Sequence, residues 1–254
     1  MASDILLSPW FISLLFFLIA FIYSSVGLGG GSSYTALMAI LGFNTLAIPM
    51  LSLCLNLLVT TAGSINFIRN KHARFGLILP FLITSIPMTW LGGALQLDKD
   101  VFYWVLLISL CFVAARIFLW QNTRFQLQLT PRATWSISLL AGAVLGFIAG
   151  ITGIGGGIYL IPLILILDLG NEKQAAACGV IFIWINSLFG LLSRLQYNSI
   201  DLSDYIPMLV AVLLGGMMGS WLGAVRLSPR VMEKLLGVII LAAIVTMGRK
   251  LLIN

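Results

Sequence analysis

Charge is what this sequence has least of. Asp, Glu, Lys and Arg make up 9% of its 254 residues, where a soluble domain carries about a quarter, and the mean hydropathy is +1.09. A water-soluble fold is excluded. The eight acids, Asp4, Asp98, Asp100, Asp168, Glu172, Asp201, Asp204 and Glu233, fall between or at the edges of apolar runs and never at the middle of one, because an ion in hydrocarbon loses its hydration. Histidine is nearly absent. With His72 alone, there is no HExxH motif, no histidine-based nucleophilic triad and no His-rich metal site, and His72 reads as a solvated loop residue. The cysteines, Cys54, Cys111 and Cys178, stand singly in apolar runs, without the paired spacing of a disulfide framework or a zinc site, and read as packing. These absences leave no enzymatic constellation and call for no cofactor.

What is there is a series of long apolar runs. A membrane-spanning helix needs about 20 mainly apolar residues, which predicts helices over Ile5–Val26, Thr45–Ile68, Phe75–Leu97, Val101–Trp120, Trp135–Ile151, Gln174–Leu192, Tyr205–Val225 and Val231–Met247. Asp4 stands before the first run in place of a basic n-region, and the run is too long for a signal-peptide core, so it is expected to remain as a helix. The fourteen Lys and Arg, and the net charge of +6, are scattered over short loops and form no nucleic-acid stripe. Two further stretches, Ser32–Gly42 and Ile158–Leu167, are too short to span, and both follow a triple glycine.

That coincidence exposes an internal repeat. Gly27-Leu-Gly-Gly-Gly31 recurs as Gly153-Ile-Gly-Gly-Gly157, Asn56 as Asn186, Trp90-Leu-Gly92 as Trp221-Leu-Gly223, and Val101 as Val231, with partners 126 to 131 positions apart. The chain therefore divides into a first transmembrane repeat over 1–120, a polar cytoplasmic linker over 121–134 and a second repeat over 135–254. Loop charge bears on orientation, since cytoplasmic loops favour Lys and Arg. The loop after the third segment is basic in the first half (Arg69, Lys71, Arg74) and acidic in the second (Asp201, Asp204); the following loop is acidic first (Asp98, Asp100) and basic second (Arg226, Arg230, Lys234). The swap favours inverted halves, although the total of basic residues on each side differs little between the two arrangements.

Glycine costs a helix about 1 kcal/mol per residue relative to Ala, so Gly29, Gly30 and Gly31, and Gly155, Gly156 and Gly157, should break it. Close helix packing also uses small residues, but two such clusters at matching places fit discontinuous helices lining a cavity. The first N–H groups of the half-helix beyond each break lack intrahelical acceptors and carry roughly half a positive charge, which suits an anion. Those groups belong to Gly30, Gly31, Ser32 and Ser33 in the first half and to Gly156, Gly157, Ile158 and Tyr159 in the second, with Thr152 just upstream. Asn56 and Asn186 are amides set within the next helix of each half and must find partners; either neighbouring backbone or a bound ligand would serve. Gln174, Ser187 and Ser193 are weaker candidates of the same kind. Tyr34 and Tyr159 follow the breaks closely and either pack or present hydroxyls. Arg116 and Arg194 lie just inside helix ends, where snorkelling to headgroups is the default; the alternative for either, and for Arg69, is a place at a vestibule that attracts an anion.

On Gly27-Leu-Gly-Gly-Gly31, on Ala149-Gly-Ile-Thr-Gly-Ile-Gly-Gly-Gly157 with Pro162 five residues beyond, and on the Asn-bearing helix from Ala175 to Gly190, the sequence resembles the sulfite exporter TauE/SafE family of membrane transporters, also called TSUP, over nearly its whole length. Ser32-Ser33 departs from that pattern, in which a proline-containing continuation is common. The resemblance implies secondary transport of a small sulfur-containing or organic anion, such as sulfite, thiosulfate, a sulfonate or sulfoacetate, across a prokaryotic inner membrane. The expectation is an all-α polytopic protein of two homologous, inverted repeats. Its anion would bind between the glycine breaks while one half rocks against the other. The partners expected are the small anion and the lipid bilayer, with no nucleic acid, and a homodimer is left open. An anion channel using the same helix ends, or a membrane subunit without transport activity, are the alternatives.

Overall fold

The computed structural model describes residues 9–25, 28–119, 130–223 and 229–253. All its regular elements are helical: α1 (Pro9–Ser25), α2 (Gly31–Ile40), α3 (Ala47–Arg69), α4 (Phe75–Ala94), α5 (Lys99–Leu119), α6 (Pro131–Thr152), α7 (Gly157–Ile166), α8 (Glu172–Leu195), a 3-10 turn at Ser203–Tyr205, α9 (Ile206–Gly223) and α10 (Pro229–Ile253). Five of them, α3, α4, α5, α6 and α8, are long and apolar enough to cross a membrane. By contrast, α2 and α7 have ten residues each. At 1.5 Å per residue each reaches about 15 Å, half of a bilayer's hydrocarbon core.

Caps set boundaries that hydropathy does not. α6 starts at Pro131, four residues before the apolar run, because Thr130 accepts a hydrogen bond from the Ala133 N–H and Pro131 occupies the first helical position, where its missing donor is harmless. The stretch 121–129 of the expected linker lies outside the described residues. α8 starts at Glu172 through a capping box, Asn171 accepting from the Gln174 N–H while the Gln174 side chain accepts from the Asn171 N–H. Gln174 is thereby tied into the cap instead of lining a site.

The helices pack through glycine. α6 presents Gly142, Gly146 and Gly150, one turn apart, to Phe81, Ser85 and Thr89 of α4, and a Cβ on any of the three glycines would overlap the opposing carbonyl oxygen. Numbers rise together on both helices, so α4 and α6 run parallel. Thr84 donates to the Leu139 carbonyl at 2.6 Å across this contact. Gly215 and Gly219 of α9 sit in the same way against the carbonyls of Phe17 and Phe21 of α1, which makes α1 and α9 parallel, and Ser24 donates to the Gly216 carbonyl at 2.7 Å. α3 and α8 run antiparallel: Val180 lies against Gly63 and Leu53 against Gly190, with the Trp184 indole donating to Thr61 between them.

Two apolar cores result. One joins residues of α1, α2, α3, α5, α9 and α10, including Phe16, Leu51, Leu55, Leu106 and Val212, and takes in Ile158 of α7 and Ile183 of α8. The other joins α4, α7 and α8 through Ile78, Phe81, Leu160, Cys178 and Phe182, with α6 against it. α3 and α8 face one another where the two cores meet.

Candidate functional site

The first interruption follows α1. The Leu28 N–H still bonds the Tyr23 carbonyl at 2.9 Å, and Gly30 then takes φ +93°, a left-handed conformation that glycine adopts without strain. α2 opens at Gly31 with no side-chain cap. Ser33 and Tyr34 turn their N–H groups to the Gly30 carbonyl, whereas those of Gly31 and Ser32 have no acceptor among the described residues. The hydroxyls of Ser32 and Ser33 lie 2.7 and 2.9 Å from that of Tyr23, so α1 holds the first turn of α2 by its side chains.

The second interruption follows α6, where Gly153, Gly155 and Gly156 have φ of +76°, +86° and +78°. α7 opens at Gly157, again without a side-chain cap. Its Gly157 and Ile158 N–H groups have no acceptor among the described residues. Thr152 is occupied locally: its hydroxyl donates to the Ile148 carbonyl at 2.7 Å and accepts from the Ile154 N–H at 3.3 Å.

Both turns meet at mid-length of α3 and α8. A Cβ on Gly31 would overlap the Ile154 carbonyl, one on Gly29 would lie 2.9 Å from Asn56 Oδ1 and 3.0 Å from Ile183, and one on Gly155 would lie 2.9 Å from Ile183 and 3.0 Å from Asn56 Nδ2. Gly157 is pressed on the Gly179 carbonyl, 2.6 Å from where its Cβ would stand. Asn56 is thus wedged between the two turns. Its Nδ2 donates to the carbonyls of Gly153 and Ile154, each at 3.3 Å, and Ser52, one turn earlier, donates to the Gly153 carbonyl at 2.8 Å. The side chains of Ser52, Asn56, Thr60 and Ser64 recur every fourth residue of α3 and are all buried.

Asn186, matched to Asn56 in the sequence, sits differently. It donates to the Phe182 carbonyl of its own helix at 2.8 Å, and its Oδ1 is 2.6 Å from the Thr89 hydroxyl, which also reaches the Gly146 carbonyl at 2.8 Å. Ser193 donates to the Trp90 carbonyl. Tyr159 bridges to the Ser109 carbonyl of α5 at 2.9 Å, while Tyr34 stacks on Phe16. Arg194 does not reach for headgroups. It is 4% exposed, and its Nη2 donates to the Gly150 and Ile151 carbonyls at 2.7 Å each. Those carbonyls form the negative end of α6, a favourable place for a cation, and the guanidinium has no carboxylate partner among the described residues.

The chemistry that these groups offer is donation. Four backbone N–H groups without acceptors among the described residues open the two half-helices, and a buried guanidinium lies at the end of α6, in surroundings where each electrostatic contact is stronger than in bulk water. Among the described residues no group of His, Cys, Asp or Glu is placed to hold a metal ion. Ser52, Thr60 and Thr89 were not among the candidates read from the sequence. The four-residue spacing of Ser52 and Thr60 about Asn56 was the available signal, whereas Thr89 had none.

Comparison with known proteins bears on what this centre serves. The chain is 34% identical over 245 residues to the probable membrane transporter protein y4hK of Sinorhizobium fredii, covering 95% of this chain and 97% of that protein. It is 27% identical over 232 residues to the probable membrane transporter protein YjnA of Bacillus subtilis, covering 85% and 91%. No solved structure matches it. The family model described as sulfite exporter TauE/SafE matches residues 12–247, and the chain belongs to that family of membrane transporters.

Proposed function

We propose that the protein is a secondary transporter of a small oxyanion, sulfite or an organic sulfonate in kind, across a prokaryotic plasma membrane, and that the anion binds where the two glycine turns meet. The observation that carries this reading is that the turns leading into two uncapped half-helices, which start at Gly31 and Gly157, meet at Asn56 at mid-length of α3 through Gly29, Gly31 and Gly155. Backbone N–H groups would replace water around the anion's oxygens, and Arg194 would supply the long-range attraction.

The helix directions support inverted repeats. α4 is antiparallel to α3, since both pack on α8 and only α4 runs with it, Thr89 beside Asn186 and Gly93 beside Gly190. α6 runs parallel to α4 and so opposite to α3. Of the repeat-related pairs, α3 and α8 run opposite to one another, as inverted half-sites require. Ser32, Ser33, Asn56, Thr152 and Asn186 are all buried, and the turns touch. That closure favours a carrier, open to one side at a time, over a pore open to both.

The test is substrate-dependent stabilisation in detergent across sulfite, sulfate, thiosulfate, taurine, sulfoacetate and carboxylate analogues, followed by countertransport in proteoliposomes with the best of them. Saturable exchange is the expected result. Conductance without exchange would mean a channel, and silence from every anion would sink the reading.

A further inference from the structure

We infer that the transported species carries one hydrogen-bond donor of its own, as a monoprotonated oxyanion does, and that Asn56 Oδ1 receives it. The inference rests on the anion reading of the site and narrows it to oxyanions that keep an O–H, as bisulfite does and a simple sulfonate does not.

The argument is an account of polar groups, because buried ones are nearly always paired. Around the two turns most acceptors are used. The Gly30 carbonyl takes the N–H groups of Ser33 and Tyr34, and the Gly156 carbonyl those of Tyr159 and Leu160. The Gly31 carbonyl takes the Thr35 hydroxyl, the Gly153 carbonyl takes Ser52 and Asn56, and the Ile154 carbonyl takes Asn56. Against the unpaired N–H groups of Gly31, Ser32, Gly157 and Ile158 stands an orphaned side-chain acceptor, Asn56 Oδ1, which is buried and has no partner. Its identity as oxygen is fixed by its neighbours, since a flipped amide would set oxygen against the carbonyl oxygens of Gly153 and Ile154. The hydroxyls of Ser187, 3.4 Å from where a Cβ on Gly155 would stand, and of Tyr34, 2.8 Å from where one on Gly30 would stand, also have no partner among the described residues, and each both donates and accepts.

A fully ionised oxyanion satisfies the N–H groups and leaves Asn56 Oδ1 facing oxygen. An anion with one O–H satisfies both. The titratable or charged side chains on elements packed against this point are Tyr23 of α1, Tyr34 of α2, Cys54 and Arg69 of α3, Tyr159 of α7, and Glu172, Lys173, Cys178 and Arg194 of α8; the described residues of α9 bring none, and α4 and α6 bring none beyond Arg132 in the first turn of α6. None is a histidine, and the one carboxylate, Glu172, is exposed in the first turn of α8, eleven residues and so about 16 Å before Ile183; tyrosine, cysteine, lysine and arginine ordinarily titrate above about pH 8, so below that the ionisation read out at the turns is the ligand's.

The experiment compares methylphosphonate with methanesulfonate on the full chain in detergent, by calorimetry. The two are tetrahedral and, below the second ionisation of the phosphonate, carry the same charge; they differ by one O–H. The expected result is a preference for methylphosphonate of about tenfold to a hundredfold, the effect of leaving a buried acceptor unpaired, vanishing as pH rises through that second ionisation. Asn56→Ala brings the ratio to about one. Equal binding by the wild-type protein, or tighter binding of the dianion, overturns the inference and leaves the anion site standing, whereas no binding of either overturns both. Where Asn56→Ala does not fold, the wild-type pH profile decides alone.

Discussion

The Asn56 amide nitrogen of α3 lies 3.3 Å from the Ile154 carbonyl oxygen, so α3 holds the glycine turn that leads from α6 into α7. Replacing Asn56 with Leu leaves the Ile154 carbonyl, buried in the structure, without a side-chain donor, and should destabilise the fold by about 1–3 kcal/mol. The measurement is the unfolding midpoint in detergent; an unchanged midpoint would contradict the contact.

Gly31→Ala puts a methyl group into the Ile154 carbonyl, and the two turns must separate to admit it. Exchange should be lost while membrane insertion continues. Gly76→Ala is the matched control: nothing lies within 4 Å of its Cβ position, so stability should change by no more than about 1 kcal/mol, in the favourable direction of a helix former. Equal effects of the two substitutions would remove the steric argument.

Arg194→Met keeps much of the side chain's apolar length but removes its charge and its bonds to Gly150 and Ile151. If the guanidinium draws the anion inward, affinity should fall by about tenfold to a hundredfold, the scale of a lost charged hydrogen bond, and Arg194→Lys should recover part of it. A drop in unfolding midpoint with unaltered anion affinity would assign Arg194 to capping α6 alone.

Gly146→Val drives a side chain into the Ser85 carbonyl, and Gly219→Val one into that of Phe21. Each should cost about 1–3 kcal/mol or more from overpacking, read as loss of monodisperse protein on size exclusion. Gly248→Val, with open space at its Cβ position, should leave the elution profile unchanged.

The helical class and the spans were legible because charge is so scarce that its few occurrences punctuate the chain. Boundaries were less so, since Thr130 and Asn171 begin helices by accepting backbone hydrogen bonds, which hydropathy does not register. Gly142, Gly146 and Gly150 carry a readable small-residue spacing, but no residue of α6 names α4 as the partner. Arg194 shows the deeper limit. A cation near a helix end looks the same in sequence whether it turns outward to headgroups or inward to carbonyls, and only the packing of α6 on α8 decides. Likewise Asn56 and Asn186 hold matching places in the sequence pattern, yet one wedges between the turns and the other is bound by Thr89.

The division into two cores has a mechanical consequence. Glycine contacts hold α4 to α6 and α1 to α9, so each core draws helices from both sides of the 121–129 stretch, and the boundary between the cores does not follow it. A chain cut in that stretch would leave two pieces still packed on one another along α1 and α9, α3 and α8, and α4 and α6.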